Sequence, residues 1–122
     1  MDKNIPCRIE SRLEGDVVVI SCEGRITLGL ATNTLRNQMR EALEGGAKKL
    51  LVDFRGATQL DSTGIGELVG ALSLANEKGA SLKLACLPPK IRELLRITRL
   101  DTVFDVREDY REALESFGQQ ST

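Results

Sequence analysis

Apolar residues in this chain alternate between two periods, and that alternation restricts the fold more than any other feature of the sequence. Short runs of aliphatic and β-branched residues, "VVVISC" (17–22), "KKLLVDF" (48–54), "SLKLACL" (81–87) and "TVFDV" (102–106), read as strands. Longer segments between them carry apolar residues at helical spacing. Strands alternating with helices make βα units, with parallel strands and right-handed crossovers. One hairpin departs from this pattern at the start. "CRIESRL" (7–13) alternates, Gly15-Asp16 supplies the turn, and a second strand (16–23) ends at Gly24. The expected fold is a single α/β domain with a mixed, mostly parallel sheet, an N-terminal antiparallel hairpin strand and about four helices.

The helices are legible from their stripes. Leu28, Ala31, Leu35, Met39, Ala42 and Leu43 fall on one face, with Thr27 as N-cap and Gly45-Gly46 as the stop. Ile65, Leu68, Val69 and Leu72 mark a second helix that ends near Gly79. Pro89 suits the first turn of a third helix running through about Ile97. Tyr110, Ala113, Leu114 and Phe117 stripe a terminal helix. The domain is expected over residues 5–117, with "GQQST" (118–122) as a flexible tail.

Composition removes several function classes. Seventeen basic residues nearly cancel eighteen acidic ones, the net charge is −1, and aromatics are 3%. No basic groove and no stacking platform for nucleic acid is expected, nor a polybasic patch for a membrane surface. No stretch approaches the ~20 apolar residues of a membrane span, and the N-terminus lacks an apolar signal core. The expectation is a soluble, cytoplasmic protein, a monomer or weak dimer, without cofactor or metal. Cys7, Cys22 and Cys86 are odd in number and far apart, and read as buried thiols.

The functional signal is "TQLDSTGIGELVGALS" (58–73), where a loop leaves a buried strand and opens the second helix. In α/β sheets that edge collects ligands, and a helix N-terminus favours an anion. The residues allow three readings of the hydroxyls of Ser62 and Thr63. One of them caps the helix, with Glu67 assisting in the first turn. Alternatively one is a nucleophile, but the chain has no histidine to serve as base. In the third reading the hydroxyl is the substrate of another enzyme, which would add about −1.5 to −2 charges.

"LLVDFRGATQLDSTGIGELVGAL" (50–72) resembles the signature of the STAS domain, shared by anti-sigma factor antagonists and by cytoplasmic tails of sulfate transporters. "VVVISCEGRITLGLATNTLRNQM" (17–39) and "GASLKLACLPPKIRELLRITRLDTVFDV" (79–106) are similar to that family's neighbouring elements. The resemblance implies a stand-alone antagonist and no enzyme. Ser62, directly after the aspartate, is implied as the phosphorylation site. The implied partners are an anti-sigma factor with serine kinase activity, bound when Ser62 is unmodified, and a PP2C-type phosphatase. Asp61, Thr63, Gly64, Ile65 and Gly66 occupy the flanking partner-binding positions, with Arg25 and Thr27 in the loop before the first helix. That loop reads Gly24-Arg25-Ile26-Thr27, where the family often carries Gly-Glu-Leu-Asp, so the charge offered to a partner differs. A non-switching scaffold or ligand-binding module within a larger signalling assembly is the alternative.

Overall fold

The structure, a computed structural model, describes residues 7–27 and 29–118. Five strands form one sheet: β1 (Cys7–Glu14), β2 (Val17–Ile26), β3 (Lys49–Leu60), β4 (Ser81–Ala85) and β5 (Asp105–Arg107). They lie in sequence order, with β1 antiparallel to β2 and the remaining pairs parallel. Four helices accompany them: α1 (Leu30–Glu44), α2 (Ser62–Lys78), α3 (Pro89–Ile97) and α4 (Tyr110–Gly118). The expected architecture is the observed one.

Alternation along the strands divides the core in two. Ile20, Leu50, Val52, Phe54, Leu82 and Leu84 point to the side covered by Leu35 and Met39 of α1, Leu68 of α2 and Ile91 and Leu95 of α3. Val17, Val19, Leu51 and Ala85 point to the other side, where Ala113 and Phe117 of α4 cover them. β3 is central and buried on both faces through Phe54, which explains its unbroken apolar run. The α4 side also buries Lys83. Its ammonium donates to Ser116 Oγ at 2.7 Å, lies 3.5 Å from Asp105 and sits over the Phe117 ring. A buried charge persists only with such partners.

Several expected boundaries move. β2 does not end at Gly24; it passes through that residue at φ 84° and continues to Ile26, its register with β3 shifting on the way. β3 runs on to Leu60, so the expected loop shrinks to one residue, Asp61. β4 stops at Ala85, followed by Cys86 at φ 61°. Of "TVFDV", Thr102 belongs to a short 3-10 turn and only Asp105-Val106 is strand. Thr27 is not a cap: α1 starts after Gly29, at φ 110°, and Leu28 lies outside the described residues. Val69 is exposed and Leu72 half-buried, so the inner face of α2 is instead Gly64, Ile65, Leu68, Ala71 and Ala75. Gly118 closes α4, while 119–122 of the expected tail lie outside the described residues. Cys22 is buried, whereas Cys7 and Cys86 are only partly so.

Candidate functional site

β2 and β3 stay paired to their ends, Arg25 against Gln59 and Ile26 against Leu60. This pairing carries Arg25 and Thr27 to the same edge of the sheet as Asp61-Ser62-Thr63. The two segments singled out in the sequence are therefore neighbours, at the carboxyl edge of the parallel strands. Leu60 is the last buried residue of β3, and Asp61 turns the chain directly into α2.

Asp61 is the N-cap. Its backbone is extended (φ −106°, ψ −177°), and its Oδ1 accepts from the Gly64 N–H at 3.1 Å. Its carbonyl accepts from the Ile65 N–H at 3.0 Å and opens the helical ladder. The capping reading of Ser62 and Thr63 is thus corrected. Aspartate caps as well as serine and adds a negative charge at the positive end of the helix. Ser62 is left exposed as the first helical residue, and Thr63 is half-buried beside it. Glu67 lies beyond the first turn, where its Oε2 pairs with Arg36 Nη1 of α1 at 3.5 Å.

The two motif glycines do different things. Gly64 is buried, and a Cβ there would collide with the Leu60 side chain and reach the Ile26 carbonyl at 3.5 Å. Its missing side chain lets α2 settle against the ends of β2 and β3. Gly66 is exposed with open space where a Cβ would stand. Ser62, Gly66 and Val69 share one face of α2, all exposed, with Gly70 beside them. Ile65, expected in the partner-binding set, is buried and packs into the core. Val69 is the residue of this face that sequence reasoning assigned to the core; apolar spacing alone does not separate the edge of a stripe from its centre.

What this edge presents is the hydroxyl of Ser62, exposed at the start of α2. The chain contains no histidine, and among the described residues no cluster of acidic or cysteine side chains could hold a metal ion. Among these residues no helix is long and apolar enough to cross a membrane. Burial pushes the Cys7, Cys22 and Cys86 thiols up, the last two also under the influence of Asp53.

Residues 8–113 match the model of a protein family, the STAS domain. A STAS-domain containing protein of Pseudomonas aeruginosa is 29% identical over 96 residues, 76% of this chain and 90% of that protein. The anti-sigma-B factor antagonist of Bacillus subtilis is 33% identical over 72 residues, 59% of this chain and 65% of that one. Among solved structures, the anti-sigma factor antagonist SpoIIAA in its unphosphorylated form superposes with a TM-score of 0.81 at 18% identity, covering 94% of this chain and 100% of that one. SpoIIAA of Bacillus in its phosphorylated form gives 0.73 at 19% identity, over 90% and 99%. At these identities the structural likeness establishes the fold.

Proposed function

This chain belongs to the STAS-domain family, and on that premise we propose that it is an anti-sigma factor antagonist switched by phosphorylation of Ser62. Unmodified, it binds an anti-sigma factor that is also a serine kinase, and so frees a sigma factor. Transfer of phosphate to Ser62 ends the complex, and a PP2C-type phosphatase restores it.

The observation that carries this reading is the division of labour at the start of α2. Asp61 performs the capping, so the Ser62 hydroxyl is free of a structural task and stands exposed at the first position of the helix. A kinase can modify it without unmaking the cap. The phosphate would meet the positive end of α2, which offsets about 0.3–1 kcal/mol of its cost within the folded protein. In a complex the same charge must be desolvated beside Asp61 and against the partner. The modification therefore weakens binding while leaving the fold intact. The exposed face formed by Ser62, Gly66 and Val69, with Arg25 and Thr27 across the edge, is the surface offered to the partner. Arg25 makes that surface more basic than the acidic loop common in the family, so the cognate partner is expected to be acidic there.

The test is incubation with ATP and the candidate kinase, followed by peptide mapping. Phosphate on Ser62, absent in Ser62→Ala, is the expected result. Phosphate on Thr63 alone, or full labelling of Ser62→Ala, overturns the assignment.

A further inference from the structure

β1 is an edge strand, with β2 on one side and, among the described residues, no strand on the other. Arg8, Glu10, Arg12 and Glu14 occupy its alternate positions, all exposed, on the sheet face opposite α1. Cys7 and Ile9 lie on the α1 face, in or against the core there. Charged residues on an edge keep unrelated strands away, but alternating signs have a further property: read antiparallel against itself, the strand is complementary. We propose that β1 pairs with β1 of a second copy of this chain, extending the sheet across a two-fold axis at Ser11.

Backbone parity and charge together select that register. The Gly15-Asp16 turn makes Glu14 and Val17 the flanking pair of a two-residue hairpin, which is hydrogen-bonded. Even-numbered residues of β1 therefore bond inward to β2, and the odd-numbered ones direct their N–H and C=O groups outward. The Ile9 carbonyl points out of the ladder in this way and accepts from Gln38 Nε2 of α1 at 2.9 Å, a side-chain bond that the Leu13 N–H of a second copy must share or displace. An added antiparallel strand must then hydrogen-bond odd residues to odd residues. Centred on Ser11, the pairs are Ser11 with Ser11 and Ile9 with Leu13. Between them Arg8 faces Glu14 and Glu10 faces Arg12, four opposite-charge pairs in all. These fall at the non-hydrogen-bonded positions, where Cα atoms approach to about 4.5 Å. Centring on Glu10 or Arg12 instead sets like charges opposite each other, and centring on Ile9 or Leu13 pairs fewer residues.

The side chains are ready for this arrangement. Arg8 and Glu10 already lie 3.0 Å apart within the strand, as do Arg12 and Glu14 at 3.2 Å. Arg12 uses three of its five N–H donors on Glu14, Ser21 and Tyr110, which leaves two for Glu10 of the other copy. Leu13, 69% exposed, gains Ile9 of the second copy as an apolar neighbour. Because the strands run antiparallel, the two Ser62 edges face opposite ways, and each copy can engage its own partner.

Sedimentation equilibrium over a micromolar-to-millimolar series tests the proposal. The unaltered chain is expected to self-associate to a dimer that weakens with salt. Glu10→Arg, facing Arg12 of the other copy, should raise the dissociation constant by at least about tenfold. Mixing Glu10→Arg with Arg12→Glu restores every opposite-charge pair, so the mixture should form a heterodimer although each variant alone is weakened. Because Arg12 also holds Tyr110, the mixture of Arg8→Glu with Glu14→Arg makes the same test at the outer pairs, with circular dichroism verifying that each variant is folded. A monomer at all concentrations, a Glu10→Arg constant equal to that of the unaltered chain, or folded mixtures that associate no better than their components would overturn the proposal.

Discussion

Gly64→Ala separates the packing role of the site from its recognition role. The added methyl would overlap the terminal atoms of Leu60, a residue only 6% exposed at the end of β3. Relief requires moving Leu60 within a closed core or shifting α2 from the sheet, and overpacking of this kind costs about 1–3 kcal/mol. Replacing glycine by alanine inside a helix returns at most about 1 kcal/mol. The net expectation is a loss of about 1–2 kcal/mol, a fall in Tm of roughly 4–8 °C for a domain of this size. Truncating the obstacle should reverse the sign. Leu60→Ala alone costs about 2–5 kcal/mol, but in that background Gly64→Ala fills vacated space and should stabilise, giving a coupling of about 1–3 kcal/mol. Gly66→Ala is the contrast: its Cβ meets nothing, so it should stabilise by about 0.5–1 kcal/mol while crowding the face that carries Ser62 and weakening partner binding. Urea denaturation of the four Leu60/Gly64 combinations, with partner titration of both glycine variants, reads all of these quantities. A neutral or stabilising Gly64→Ala in the unaltered background, or one that loses affinity at unchanged stability, would refute the packing account.

Asp61→Ala should cost about 1 kcal/mol through loss of the cap, whereas Asp61→Asn should lie within a few tenths of the original; equal costs in thermal melts would mean that charge, not capping, dominates. All three thiols are held above their ordinary value by burial, so a chromogenic disulfide reagent at neutral pH should react slowly with the folded chain, and with Cys22 only on unfolding; rapid labelling of any one of them contradicts this. Arg107, with Lys83 in support, holds the Asp105 carboxyl below its ordinary 3.8. Its stabilising contribution is therefore full well above that pH and is lost as pH falls from there through the lower folded value; the stability gap between Asp105→Asn and the unaltered chain should be constant from neutrality to about pH 5 and shrink below it in urea melts.

Much of the fold was legible because each buried strand is a short aliphatic run and each helix has a clean stripe or a terminating glycine or proline. Pro89 and Gly79 stand where expected, at the first position of α3 and the left-handed C-cap of α2. The ends of β2 and β3 were not legible. Past Phe54 the strand carries Arg55, Gly56, Thr58 and Gln59, all exposed, and pairs only with β2, so its periodicity no longer reports a two-sided core. Gly24 reads as a terminator but serves an irregular stretch of a continuing strand. Asp61 was a visible cap, an aspartate three residues before the bonded N–H and four before the first apolar residue of the helix, yet the adjacent hydroxyls drew that role to themselves. The inward packing of Gly64 had no local signal, since Leu60 and Ile26 reach it only through the parallel register.

Calorimetric titration of one anti-sigma partner with the unmodified and Ser62-phosphorylated forms tests the central claim most directly. The phosphorylated form is expected to bind at least about tenfold more weakly, with unchanged circular dichroism and nearly unchanged Tm. Equal affinities would contradict the switch, and a large spectral change would replace local electrostatic blockade with refolding.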